Sequence, residues 1–321
     1  MTRSLLALAA AGAALALVSL AARAAAPPAP APVFGDPFWK YWGDGKAELA
    51  GYDLTFPRYG QLRRGIAVTI FVTETFSNSL RVKSDPGKHP QSDEFPVMKL
   101  NLVQEFSTGI YNYNLLTNAF VALAPVNGRS SGSATKISFT SQEWCGSMYG
   151  QLLFDKASAR LTSHSYFDGE ADQSSVLEVP PDAISGDALL LWARGFAAPL
   201  LEPGERRDVP LVRSIQASRL GHRPVEMLSA ILSRERSVAR VTVPAGTFDV
   251  SRRGVEIKGG AKWTISVEAA EPHRIIEWET SDGEKASMLG SDRLQYWKLN
   301  AEGGQKELAK LGLTARAPRM P

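Results

Sequence analysis

Ile66, Val68, Ile70 and Val72 fall on one side of an extended chain, while Ala67, Thr69, Phe71 and Thr73 fall on the other. That period of two predicts a β-strand with apolar side chains on both faces. The same alternation returns in 98–102, 136–140 and 161–166. Turn residues such as Asp85-Pro86-Gly87-Lys88, Asn127-Gly128 and Asp168-Gly169 punctuate the runs. The rhythm breaks once, where Pro180-Pro181-Asp182 leads into Leu189-Leu190-Leu191-Trp192 and Gly195 closes the run. An Asp before the apolar residues and a Gly after them predict one central helix over 182–195. Beyond it the strand pattern resumes at 209–212, 238–243, 248–257, 263–267, 274–280 and 294–299. No repeat of solenoid or propeller length is present. The pattern therefore predicts an all-β, mainly antiparallel fold spanning 38–300. It is either a curved half-barrel-like sheet or two β halves, 38–180 and 196–300, joined by the central helix. Residues 301–321 read as a tail whose amphipathic part, 305–313, forms a helical turn or two.

The ends of the chain change the picture. Met1-Thr2-Arg3 is a short basic start, Leu5 to Leu20 is an Ala/Leu run, and Ala22-Arg23-Ala24 is a small-x-small cleavage pattern. Together they read as a signal peptide over 1–24, which implies a periplasmic or secreted protein. The apolar run is shorter than the roughly 20 residues of a membrane-spanning helix, so no transmembrane segment is expected in the mature chain. No cysteine stands at the cleavage point, which argues against a lipid anchor. Residues 25–37 are rich in Pro and Ala and read as a stiff linker outside the core. Trp39, Tyr41 and Trp42 then supply a concentrated aromatic load, expected either as a lid packed across a barrel end or as an exposed platform for a sugar or lipid.

Charge is close to balanced, with a formal net charge of +3 at pH 7. Nothing in it steers the protein toward nucleic acid or an anionic membrane. Arg63-Arg64, Arg206-Arg207 and Arg252-Arg253 lie beside turn residues and read as solvated loops. Cys145 is the single cysteine, so no intramolecular disulfide forms and the free thiol is expected in the core.

Several motifs suggest catalysis and fail on context. Gly128-Arg129-Ser130-Ser131-Gly132 fits the nucleophile elbow, but that elbow needs a strand before the serine and a helix after it, and here a strand follows. Ser133 and Lys136 have S-x-x-K spacing on an extended segment, which turns them to opposite faces. Cys145 with His164 as base is the one nucleophilic pair worth carrying, yet Glu143 beside the thiol works against thiolate formation. The histidines, His89, His164, His222 and His273, are too far apart for a local metal site, and no phosphate-binding glycine loop occurs. No cofactor is expected. The remaining polar cluster is Arg58, Tyr59, Tyr111, Tyr113, Glu143 and Trp144, with Asn112, Asn114 and Gln142 close by in sequence. Alternation puts Tyr111 and Tyr113 on one face of a strand, where they could furnish hydrogen-bonding groups on an apolar wall.

Asp182-Ala183-Ile184-Ser185 with Arg194, and Val243-Pro244-Ala245-Gly246-Thr247-Phe248, carry a family resemblance. They are similar to a family of secreted bacterial β proteins of unknown function, marked by a V-P-A-G-T-F hairpin after a helix of the form D-x-x-S…R. The resemblance covers roughly residues 180–300; the first half is similar to exported bacterial proteins in strand pattern. It implies the half-barrel of the LolA and LolB lipoprotein carriers, a strongly curved antiparallel sheet with helical cover on its concave side. It implies no catalytic residue. The expected function is non-catalytic binding of an apolar or amphiphilic envelope component: a lipid, a glycolipid or an envelope protein. The alternative is an envelope enzyme built on Cys145 and His164.

Overall fold

Strands that alternate in this way need hydrogen-bonding neighbours, and among the described residues sixteen strands supply them to one another in one sheet. The computed structural model describes residues 30–315, so the signal-peptide reading over 1–24 and the start of the linker lie outside the described residues. In chain order the strands of the first wing are β1 (Ala47–Arg58), β2 (Gln61–Ser77), β3 (Val82–Lys83), β4 (Glu94–Thr108), β5 (Tyr111–Ala122), β6 (Ala134–Glu143), β7 (Gly146–Phe154), β8 (Ser158–Ser165) and β9 (Gln173–Glu178). The second wing holds β10 (Ile184–Ser185), β11 (Arg206–Val212), β12 (Met227–Val243), β13 (Gly246–Ile257), β14 (Lys262–Glu268), β15 (Ile275–Thr280) and β16 (Lys285–Leu294). Their spatial order is β10 through β16, then β1, β2, β4 and on to β9, with β3 paired only to the end of β2. Every pairing is antiparallel except β10 with β11. The sheet is not closed, so β9 and β10 are its edges. The wings are thus not separate halves: β1 pairs with β2 on one side and β16 on the other, making them one continuous sheet.

Among the described residues three short α-helices accompany it: α1 (Asp36–Trp42), α2 (Leu189–Ala193) and α3 (Ile215–Gly221). The helix expected over 182–195 is shorter than its signals suggest. Ser185, not Asp182, caps it by accepting the Asp187 N–H on its Oγ; a 3-10 turn over Gly186–Ala188 follows, and α2 ends before Gly195 at φ +80°. All five α2 residues are buried, so this segment has no polar face and works as a plug. α2 packs against β14, its leading 3-10 turn packs against β5, and α3 packs against β6, so the sheet curves around them with both wings touching the same insert. One core cluster therefore contains Leu115, Ile137 and Phe139 from the first wing, Leu232, Val255 and Ile265 from the second, and all of α2.

The convex face is apolar where β2 turns Ile66, Val68, Ile70 and Val72 outward, and the C-terminal segment covers it. A 3-10 stretch, Gly304–Leu311, lays Leu308, Leu311 and Leu313 on Leu49, Val72 and Leu289. Contact that close needs glycine on the sheet: a Cβ on Gly51 would stand 2.4 Å from the Leu311 carbonyl oxygen and 2.9 Å from the Leu313 Cγ. Gly51→Ala is expected to cost about 1–3 kcal/mol through this overpacking. Chemical denaturation should register that loss together with faster hydrogen exchange confined to 304–313, and unchanged exchange there would refute the assignment.

Three sequence expectations are corrected. The described part of the linker does join the fold: Pro32 is buried and the Pro30 carbonyl accepts the Leu200 N–H at 3.0 Å. Its route is fixed by an approach to Gly132, where a Cβ would meet Pro32 at 2.6 Å. The three arginine pairs lie within β2, β11 and β13, not in loops, because alternation places one member of each pair toward each face. Cys145 is exposed, since with Trp144 it forms the two-residue turn between β6 and β7, beyond the reach of the core. The V-P-A-G-T-F stretch makes the expected hairpin, with Val243 opposite Gly246 and Pro244-Ala245 as the turn.

Candidate functional site

Because α2 sits in the middle of the concave face, empty space remains at its two ends. The larger cavity, about 590 Å³, opens between the β1–β2 turn, the β15–β16 turn and α3. Phe56, Leu102, Leu190, Leu228, Ile257 and Trp263 make much of its wall apolar. A chain of polar side chains crosses that wall. Thr117 Oγ1 donates to Gln216 Oε1 at 3.3 Å, Gln216 Nε2 to Gln104 Oε1 at 3.0 Å, and Gln104 Nε2 to Glu284 Oε1 at 2.9 Å. Trp278 Nε1 donates to the same Glu284 oxygen at 2.8 Å. Burial raises the Glu284 carboxyl from its ordinary value to about 7, against the pull of the Trp278 and Gln104 bonds. Among the described residues no hydrogen bond reaches Glu284 Oε2. Asp187, also on the wall, is raised by burial to about 7 while accepting the Ile215 N–H at 3.0 Å, so it fixes the start of α3.

At the rim the sequence-derived cluster comes together. Arg58, last in β1, donates Nε and Nη2 to the Tyr113 hydroxyl at 3.3 and 3.2 Å, and Nη1 to the Leu220 carbonyl of α3 at 3.1 Å. Tyr59 and Tyr113 share a hydrogen bond of 2.5 Å between their hydroxyls. Tyr59 has the left-handed φ of +55° that the tight β1–β2 turn demands. The Tyr113 ring stacks on Phe106 at 5.0 Å and Phe106 stacks on Phe56 at 4.5 Å, a ladder leading from the rim into the cavity wall. Burial drives the Tyr113 phenol well above its ordinary range. Tyr111 stacks on the exposed Trp144 ring at 6.3 Å. Glu143 lies opposite the buried Arg219 at 3.6 Å, and Arg219 also faces Glu170 at 3.7 Å while lying over the Phe167 ring. Glu170 in turn accepts from His222 Nδ1 at 2.6 Å when that nitrogen carries the proton.

Of the six residues singled out, Arg58 and Tyr59 line the cavity, whereas Tyr111, Tyr113, Glu143 and Trp144 stand beside it. Asn112 and Asn114 belong to the opposite face of β5, with Asn112 accepting from Ser107 at 2.6 Å. Pattern reading missed Glu284, Gln104, Gln216 and Asp187. One signal was available: along Met98, Leu100, Leu102, Gln104 and Phe106, alternation inserts a single amide into an apolar face. Glu284 gives no such signal, since it follows a turn at Asp282-Gly283.

The structure does not assemble a Cys145–His164 pair. His164 is opposite Tyr149, four residues along β7 from Cys145 and about 13 Å away by strand rise. Its Nδ1 is 3.0 Å from Asp172 Oδ1. His164 lies on β8, which pairs with β7, the strand leaving Cys145, so the imidazole is carried away from the hairpin tip. Gly128–Gly132 occupies the β5–β6 connection with a strand after it. Among the described residues no three His, Cys, Asp or Glu side chains gather as metal ligands, and no helix is long and apolar enough to cross a membrane. No protein-family model, curated protein or solved structure matches the chain.

Proposed function

We propose that this protein binds an apolar or amphiphilic small molecule, a lipid or glycolipid of the cell envelope, in the 590 Å³ cavity and releases it unchanged. The observation that carries the reading is the cavity's composition: a concave apolar wall with a few convergent polar groups, Arg58, Gln216 and Glu284, able to orient a polar head. The leader-like sequence at 1–24 supports an extracytoplasmic setting, and the half-barrel resemblance supports a carrier. Ala217 projects from α3 at the cavity lining while remaining exposed, so a larger side chain there fills space without disturbing the core. Displacement of a fluorescent fatty acid, read beside native mass spectrometry of protein purified from its own envelope, is the test. Wild type is expected to bind one molecule per chain, and Ala217→Trp to bind at least tenfold more weakly. Wild type that takes up no probe, or an Ala217→Trp variant that binds as well as wild type, would remove this reading.

A further inference from the structure

The second space on the concave face lies at the other end of α2 and has a different chemistry. There β12 and β13 set Arg234 directly opposite Arg253. Like charges in that position repel across the strands, and among the described residues neither guanidinium has an acidic partner. Arg234 Nη1 donates to the Leu201 carbonyl at 3.0 Å, Arg253 Nη1 donates to the Ser251 hydroxyl, and Arg234 Nε is buried without any hydrogen bond. Both arginines line a cavity of about 260 Å³ together with Arg194 and His273. Two acids share that lining. Glu268 is held by Arg274 in a two-pronged pair at 2.7 and 2.8 Å, and the other carboxylate of the lining, Glu202, belongs to an exposed residue. Arg194 is already matched by Glu48. Burial, with Arg234 adding to it, holds Arg253 down at about 10.

An arrangement of two adjacent, half-buried and unmatched guanidiniums around a cavity is favourable only when a third group brings negative charge. We infer that this cavity binds a tetrahedral oxyanion, inorganic phosphate or the phosphomonoester end of a larger molecule, clamped between Arg234 and Arg253. Guanidinium forks match phosphate oxygens two at a time, and Arg253 Nε and Nη2 with Arg234 Nη2, none of which carries a hydrogen bond among the described residues, supply such donors, whereas Arg234 Nε is sealed from the cavity. The cavity exceeds what a bare phosphate fills, which leaves room for an ester substituent. Since α2 stands between this cavity and the larger one, the inference does not depend on lipid binding.

Isothermal titration calorimetry of the full chain at constant ionic strength, with inorganic phosphate, glycerol 3-phosphate and chloride as titrants, decides it. Phosphate is expected to bind one to one and chloride to give no saturable heat. Arg234→Gln and Arg253→Gln should each weaken phosphate at least tenfold, while Arg240→Gln, an exposed change on the same strand, should leave it unaltered. Glycerol 3-phosphate binding tenfold tighter than phosphate would assign the site to a phosphomonoester, and equal binding would assign it to the free ion. No saturable phosphate binding to wild type, or binding that survives in the R234Q/R253Q double variant, would overturn the inference. The wild-type titration holds whether or not a variant folds.

Discussion

Arg194→Ala is expected to lower the stability of the protein by about 3–5 kcal/mol, because it strands a carboxylate inside the fold. Arg194 and Glu48 are buried side chains, 0% and 5% exposed. Their pairing is two-pronged, at 2.5 and 3.2 Å, and Arg194 Nη2 also donates to the Pro272 carbonyl at 2.8 Å. The guanidinium lies 4.4 Å from the centroid of the Phe71 ring and 5.3 Å from that of Trp42. One side chain thus ties the end of α2 to β1, to the β14–β15 turn and to the aromatic cover that α1 brings. Arg194→Lys should recover little of the loss, since an ammonium offers neither the planar fork nor the stacking face. Replacing both partners with apolar residues of similar volume should recover most of it, since no buried charge is then left alone. Urea denaturation midpoints for the three variants test this. A loss below about 1 kcal/mol for Arg194→Ala would show that Glu48 finds another partner or water.

The second large effect is a dependence on pH. The unfolded chain releases the Glu284 proton near its ordinary value of 4.5, whereas the folded protein releases it at about 7. Between those values the folded state holds more protons than the unfolded one, so stability falls as pH rises through the window, and the full cost is reached above pH 7. A displacement of that size corresponds to about 3 kcal/mol. Glu284→Gln keeps an acceptor for Gln104 and Trp278 and removes the titration. It should therefore stabilise the protein by up to about 3 kcal/mol at pH 8 and change little at pH 4. Asp187, raised from 3.8 to about 7, contributes a decline of the same sign. Asp187→Asn should flatten the profile less cleanly, because the carboxylate also accepts the Ile215 N–H that starts α3. Stability measured by denaturant titration from pH 4 to 8 that shows no difference in slope between wild type and Glu284→Gln would contradict the burial argument.

Much of the fold was readable because alternation is a local property. The strands at 66–73 and 98–102 stand where their period of two placed them and the one at 161–166 ends at Ser165, whereas 294–299 leaves the sheet after Leu294 and forms a 3-10 turn; the Val243–Phe248 turn follows from Pro and Gly alone. The central helix lies where its signals place it but is shorter, since Asp182 and Ser185 both satisfy the rule for a cap and only the β10–β11 pairing decides between them. α3 went unread: seven residues around Gln216 are too few to display a helical period. The cavity was beyond sequence reading for a different reason. Its polar chain joins residues from β4, β5, α3 and the β15–β16 turn, so each member looks ordinary until the sheet has curved. Cys145 was misplaced because the general preference of free thiols for burial says nothing about a hairpin tip, whereas pairing Glu143 with Gly146 determines it.

α2 has a consequence for traffic through the molecule. Its last residues touch the arginine-lined hollow and its first ones the apolar one, with Leu191 fully enclosed between. This stopper keeps the two linings apart: no residue belongs to both hollows. A molecule held in one hollow therefore meets none of the side chains that line the other, so the two can differ in what they admit.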